Sequence, residues 1–258
     1  MFLLCKFISL DLDGTLLTSE KVISKRTINI LKKCENVGKN IVIATARPPR
    51  LVRNLLPREL KNEFLICYNG AEIYKNEEKI YEENISKSSL REILHFFILQ
   101  FPETIVSVEI DNCLYTNKGV EKLFGDIEYE IVDFRKFKWN STAKVLVDLS
   151  AINNQRIIFD NLPNDCSMVV TDDGVLGQIM NKNVSKLNAL KSILHKWGVE
   201  MEDVIAFGDD YNDIEIIEES GKGIAMENAV SELKEKADFI TKSNDEDGVA
   251  FYLEKLFL

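Results

Sequence analysis

Apolar runs of strand length alternate with stretches of helical period at both ends of the chain, and each run breaks at Gly, Pro or Asn. Phe7-Ile8-Ser9-Leu10 predicts a first strand that leads into a turn at Gly14. Ser24 opens a helical stretch with Ile28, Leu31 and Cys34 on one face, and Gly38 ends it. Ile41-Val42-Ile43-Ala44 predicts a second buried strand, followed by Pro48-Pro49 and a helix bearing Leu51, Val52, Leu55 and Leu56. Phe64-Leu65-Ile66-Cys67 predicts a third, which breaks at Asn69-Gly70. The rhythm returns late in the chain: Val184, Leu187, Leu190, Ile193, Leu194 and Trp197 mark a helix face up to Gly198. Val204-Ile205-Ala206-Phe207 then predicts a strand ending at Gly208, and residues 223–226 a shorter one.

This alternation predicts an α/β fold, a Rossmann-like doubly wound core whose parallel sheet is covered by helices. The texture changes over residues 84–181, where alternating strands (104–109, 144–149, 175–180) are separated by helices near 88–99 and 153–159. That stretch predicts an inserted α+β unit, leaving residues 1–83 and 182–258 as the core.

At 258 residues the chain is long enough for one domain with a sizeable insertion. Its 42 acidic and 32 basic residues give a formal net charge of −10, which argues against a nucleic-acid binder that works by broad phosphate neutralisation. Five scattered cysteines, Cys5, Cys34, Cys67, Cys113 and Cys166, form no CxxC pair and predict buried thiols in a reducing cytoplasm. Lys6 interrupts the apolar start after five residues, so neither a signal peptide nor a membrane span is expected. His95 and His195 sit in helical stretches without zinc spacing, which predicts surface or packing roles.

In an open parallel sheet, ligands gather beyond the carboxyl ends of the strands. Asp11 and Asp13 follow the first strand, Thr45 the second, and Asp209, Asp210 and Asp213 the late one, while Lys186 opens the late helix. Strand alternation puts Asp11 and Asp13 on one side, where two carboxylates repel unless a hard divalent cation such as Mg²⁺ joins them. One carboxylate can then attack phosphorus while the other exchanges a proton with the leaving oxygen. Asp209 and Asp213 are four apart at a helix start, and Asn212 is expected to bond to either or to cap the helix. A phosphate among these acids needs donors: the Thr45 hydroxyl, backbone N–H groups of residues 12–14, and the Lys186 ammonium at a helix amino end. Arg47 suits a phosphate or a surface carboxylate equally.

The motifs DLDGT (11–15), ATAR (44–47), NVSK (183–186) and GDDYNDI (208–214), in this order, resemble the haloacid dehalogenase-like (HAD) phosphatase superfamily. CYNGA (67–71), GIAMENA (223–229) and SNDEDGVA (243–250) are similar to its Cof-like branch, which carries a large α/β cap between two core segments. The resemblance covers essentially the whole chain. It implies Asp11 as nucleophile, Asp13 as acid/base, and Thr45 and Lys186 as holders of the transferring phosphoryl group. It also implies Mg²⁺ held by Asp11, the Asp13 backbone carbonyl, Asp209 and Asp213. Ala46, Arg47 and Asn212 fall at substrate-contacting positions, and Asn69-Gly70 and Asn228 at loop positions near the site. Ala46, Leu187 and Glu227 stand where the branch usually has glycine, which touches substrate preference rather than a needed chemical group. The implied cap, 84–181, would close over the site, with Tyr115, Lys118, Arg135, Lys138 and Trp139 as possible contacts.

The expected activity is therefore Mg²⁺-dependent hydrolysis of a small phosphorylated metabolite, with no nucleic-acid or membrane partner. A phosphomutase on the same scaffold and a non-enzymatic phospho-ligand or signalling protein are the rivals. A response-regulator receiver shares an acidic pocket with Thr and Lys but is about half this length.

Overall fold

The structure, a computed structural model, describes residues 5–136, 138 and 140–257. Five consecutive buried residues form β1 (Phe7–Asp11), and Ser24 caps α1 (Lys25–Asn36) by accepting the Thr27 N–H. β2 (Asn40–Ala44), α2 (Pro49–Leu55), β3 (Phe64–Cys67), β4 (Glu72–Lys75) and β5 (Glu78–Glu82) complete the first stretch. Next come α3 (Lys87–Gln100), β6 (Val106–Ile110), β7 (Cys113–Thr116), α4 (Glu121–Phe124), β8 (Glu130–Ile131), β9 (Lys144–Asp148), α5 (Arg156–Phe159), β10 (Cys166–Thr171) and β11 (Leu176–Asn181). The last stretch holds α6 (Lys186–Trp197), β12 (Val204–Gly208), α7 (Ile214–Glu219), β13 (Lys222–Ala225), α8 (Ser231–Lys236), β14 (Phe239–Ile240) and α9 (Gly248–Phe257).

Two compact units result, Met1–Tyr81 with Ser185–Leu258, and Glu82–Val184. In the first, strands run in the order β14-β13-β12-β1-β2-β3-β4-β5. The six from β14 to β3 pair in parallel, and β4 turns back antiparallel on β3. The chain therefore winds outward from β1 through β2 and β3, then restarts on the other side of β1 with β12. This is the doubly wound order, and its switch point lies between β1 and β12. The helices sort accordingly: α1 packs on α9, while α7 packs on α6 and α8. Continuous apolar strands such as Phe64–Cys67 suit a sheet buried on both faces.

The second unit is a six-stranded sheet in the order β10-β11-β9-β6-β7-β8, antiparallel except for the β7–β8 pair. Its core joins Leu90, Ile93, Leu94 and Phe97 of α3 to Val106, Val108, Val145 and Val147 of the sheet. The unit is thus a layer of helix on one antiparallel face, as the alternating texture predicts.

Several local expectations change. The buried stripe of α1 is Thr27, Ile30, Leu31 and Cys34, with Ile28 half-buried, so the helix sits one residue round from the predicted face. The helix predicted over 153–159 is only Arg156–Phe159. Trp197 is exposed, its ring lying edge-on to Phe7 and Phe64. Cys113 is exposed, and Cys5 and Cys166 are half-buried, so only Cys34 and Cys67 match the expected buried thiols. Both histidines are exposed.

Candidate active site

β1 and β12 deliver their acids to opposite sides of the switch point. Asp11 is the last residue of β1, and Asp209 and Asp210 follow β12 directly. Asp213 ends the short 3₁₀ turn Tyr211–Asp213, where Asp210 acts as N-cap by accepting the Tyr211 N–H. Its carboxylate turns back under that loop: Oδ2 accepts the N–H groups of Asp209 and Asp210 at 3.2 and 3.3 Å.

Lys186 ties the two halves together. It is the first residue of α6, whose N-cap is Ser185, and it is 1% exposed rather than solvated. Its Nζ donates to Asp11 Oδ1 at 2.5 Å and to Asp213 Oδ1 at 2.7 Å. Burial opposes the ammonium, but the two carboxylates outweigh it and raise the Lys186 pKa above the usual lysine value. Asp11 is pushed well above the ordinary carboxylate range by burial, and by Asp213 and Asp209, against the pull of Lys186. Burial likewise lifts Asp209 to about 6, opposed by the hydrogen bond from Thr15 and assisted by the Asp213 charge. That Thr15 hydroxyl donates to Asp209 Oδ1 at 2.7 Å.

Oxygens of Asp11, Asp209 and Asp213 lie within 4.8 Å of one another. Hard oxygen donors at this spacing can surround a small divalent cation, since trans ligands of an octahedral ion about 2.1 Å away are about 4.2 Å apart. The raised Asp11 and Asp209 pKa values express first the cost of burying their charges and then their repulsion with neighbouring carboxylates, and such an ion would relieve both. Gly14, at φ +77°, lets the loop pass the cluster: a Cβ there would lie 2.1 Å from Asp209 Oδ2.

Asp13 takes different partners. β1 ends at Asp11, so strand alternation does not carry the Asp13 side chain, which lies outside the acidic triad. Arg47 donates Nε to Asp13 Oδ2 at 2.5 Å and Nη2 to Oδ1 at 2.7 Å, and Lys21 Nζ adds a bond to Oδ1 at 2.8 Å. Burial would raise the Asp13 pKa, but the Arg47 and Lys21 bonds outweigh it and hold the carboxyl below its usual value. Arg47 therefore resolves to a carboxylate partner in this structure.

Thr45 is buried at the end of β2, and its Oγ1 accepts the Arg47 N–H at 3.2 Å, which leaves the hydroxyl proton free to be donated. Ala46 is half-buried. Asn212 neither caps a helix nor bonds the acids; its amide donates to Asn69 Oδ1 at 3.0 Å. Gly70 meets the α6 start so closely that a Cβ would fall 2.2 Å from the Ser185 carbonyl oxygen. Asn228 donates to the Gly14 carbonyl at 2.8 Å. Leu187 is buried in α6, which starts normally, and Glu227 is exposed. In the other unit, Lys118 pairs with Glu103 and Arg135 with Asp133; Trp139 lies outside the described residues.

The profile of the haloacid dehalogenase-like hydrolases matches residues 8–253, spanning both units and every motif above. The chain belongs to the haloacid dehalogenase-like hydrolases. A Bacillus subtilis (strain 168) relative, 5-amino-6-(5-phospho-D-ribitylamino)uracil phosphatase YcsE, is 31% identical over 95% of this chain and 93% of its own. Among solved structures, TM0651 from Thermotoga maritima is 26% identical with a TM-score of 0.87, covering 97% of both chains. A haloacid dehalogenase-like hydrolase from Bacteroides thetaiotaomicron is 29% identical with a TM-score of 0.85, covering 98% of this chain and 100% of that one. Membership in this family makes the protein an enzyme of the hydrolase class.

Sequence reasoning missed two contributors, Thr15 on Asp209 and Lys21 on Asp13, whereas Asn228, expected near the site, braces the Gly14 carbonyl. Thr15 stood inside a motif and was legible as a candidate. Lys21 carries no sequence signal beyond being a lysine near DLDGT.

Proposed function

We propose that this chain is a Mg²⁺-dependent phosphatase that hydrolyses phosphomonoesters of small metabolites through an aspartyl-phosphate on Asp11. One observation carries the reading: Asp11 ends β1 at the switch point, paired with a buried Lys186 that it shares with Asp213, with Asp209 alongside. An all-oxygen, carboxylate-rich donor set favours Mg²⁺ over softer metals. Asp11, Asp209, Asp213 and the Asp13 carbonyl would hold it, and when bound it supplies positive charge between the substrate phosphate and these carboxylates.

The rest is protein chemistry. The substrate phosphate draws Arg47 off Asp13, and its negative charge lets Asp13 take up a proton from water. An Asp11 carboxylate oxygen then attacks phosphorus in line, the bond from phosphorus to the leaving oxygen breaks, and Asp13 gives that oxygen its proton. Asp13, now a carboxylate, takes a proton from the water that attacks the acyl-phosphate phosphorus, and Asp11 departs as a carboxylate. The Thr45 hydroxyl donates to one phosphoryl oxygen and the Lys186 ammonium neutralises another. Arg47 and the Ala46 backbone follow β2 for substrate contact, and Asn212 stands in the turn after β12, bonded to Asn69.

Residues 1–83 and 182–258 are then the catalytic core and 84–181 the cap. Five free thiols are compatible with a cytoplasmic setting. The named substrate of the B. subtilis relative makes a phosphorylated sugar alcohol a sensible member of any substrate panel.

The test is phosphate release from a panel of phosphorylated metabolites with and without Mg²⁺, comparing the native chain with Asp11→Asn. Mg²⁺-dependent release that disappears in the variant supports the reading. Isomerised phosphate ester in place of free phosphate identifies a mutase, and binding without turnover identifies a phospho-ligand protein.

A further inference from the structure

Two motifs, GIAMENA and SNDEDGVA, have no part in the chemistry above, yet their polar side chains converge on one loop. Asn228 donates to the Gly14 carbonyl at 2.8 Å, and Asn244 Nδ2 to the Leu17 carbonyl at 2.9 Å. Asp245 accepts both the Ser19 N–H and the Ser19 hydroxyl at 2.7 Å each. The loop beyond Asp13 is therefore pinned at Gly14, Leu17 and Ser19. Its tip is a tight turn in which the Lys21 N–H bonds the Thr18 carbonyl at 2.9 Å and the Thr18 N–H the Val22 carbonyl at 2.9 Å. Lys21 occupies the left-handed region at φ 59°, a conformation a lysine adopts only where its surroundings impose it. From there its Nζ reaches Asp13 Oδ1 at 2.8 Å.

We propose that Lys21 is a positioning residue for Asp13, and that Asp245 acts through Ser19 to hold Lys21 in place. The reason for a second cation is competition. Arg47 grips both Asp13 oxygens, but the same guanidinium is a natural partner for an incoming phosphate dianion. When Arg47 is drawn to the phosphate, Lys21 keeps the Asp13 carboxyl aimed at the leaving oxygen. Misplacement by about 1 Å is enough to cost up to about a hundredfold in rate. The proposal rests on the phosphatase reading, with Asp13 as the group that protonates the leaving oxygen.

The experiment compares two substrates: the best alkyl phosphate of the panel, whose leaving alkoxide needs a proton, and p-nitrophenyl phosphate, whose leaving phenolate does not. Lys21→Ala should lower kcat for the alkyl ester about tenfold with KM little changed, and should barely alter kcat for the aryl ester. Lys21→Arg should recover most of the loss. Asp245→Ala should reproduce the Lys21→Ala pattern and speed hydrogen exchange at the Ser19 and Lys21 amides, and the double variant should be no slower than Lys21→Ala alone. Equal losses on both substrates, a rise in KM alone, or multiplicative effects in the double variant overturn the proposal while leaving an active phosphatase. A native chain inactive on every ester overturns the phosphatase reading itself, and the proposal with it.

Discussion

The Lys186 ammonium sits between Asp11 and Asp213, bonded to one oxygen of each at 2.5 and 2.7 Å, and all three groups are buried. β1 and the loop after β12 are thus joined by a single buried cation supplied from α6. Such a cation offsets two buried charges, so its removal costs more than the bonds themselves. Lys186→Met should destabilise the metal-free protein by about 3–5 kcal/mol. Added Mg²⁺ should recover more stability in this variant than in the native chain, because an ion that binds only the folded state stabilises it by mass action. Urea denaturation with and without Mg²⁺ measures both, and a variant as stable as the native chain without metal would refute the account.

Asp11→Asn keeps the shape and loses the nucleophile. Turnover should fall by at least about a thousandfold, since no attacking group replaces it. Far-UV circular dichroism should be unchanged. Mass spectrometry of the native chain quenched during turnover should find one added phosphoryl group on the peptide carrying Asp11. Label on any other residue sinks the assignment.

The Gly14 backbone is committed twice, by φ +77° and by its approach to Asp209. Gly14→Ala puts a methyl group where the Asp209 carboxylate stands, so that side chain must turn away and the Thr15 bond to it is lost. Mg²⁺ affinity should weaken about tenfold or more, as it does when groups supporting a metal site are removed. Calorimetric titration with Mg²⁺ measures this. Unchanged affinity would mean that Asp209 is not a ligand.

Which parts of this were legible in the sequence follows from where the information resides. Strands β1, β2, β3 and β12 are apolar runs of four or five residues, too short for a helix and bounded by turn residues, so they read as strands of a sheet buried on both faces. β4 and β5 escaped because they are short and charged, and their turn uses Asn76-Glu77 at φ 50° and 69° instead of a glycine signal. β7, the partner of the predicted strand β6, hides in the same way behind Asp111-Asn112 at φ 48° and 65°. In the site, Asp11 and Asp209 could be read because strand ends are where carboxylates gain a function. Arg47 could not be assigned, since a guanidinium fits carboxylate and phosphate alike, and only the fold brings Asp13 beside it. Lys21 was beyond reach for a related reason: its role depends on a turn held by Asp245, more than two hundred residues away in the chain.

A second pair of acids gives a prediction far from the chemistry. Glu63 is buried just ahead of β3, with the Glu35 carboxyl beside it and Lys75 Nζ only 3.8 Å away. Burial, reinforced by the hydrogen bond and charge of Glu35 and opposed by Lys75, pushes the Glu63 pKa up to about 7. The folded state therefore holds a proton that the unfolded chain releases nearer its ordinary value of 4.5. In that window the folded state binds more proton at Glu63 than the unfolded chain does, so this group's contribution is full below 4.5 and is lost as pH rises through about 7. Glu63→Gln keeps a hydrogen-bonding amide without the charge. The native Tm should fall more steeply than the variant's between about pH 5 and about pH 8, leaving the variant the more stable chain at the alkaline end. Parallel melting curves across that range would show that Glu63 does not titrate there.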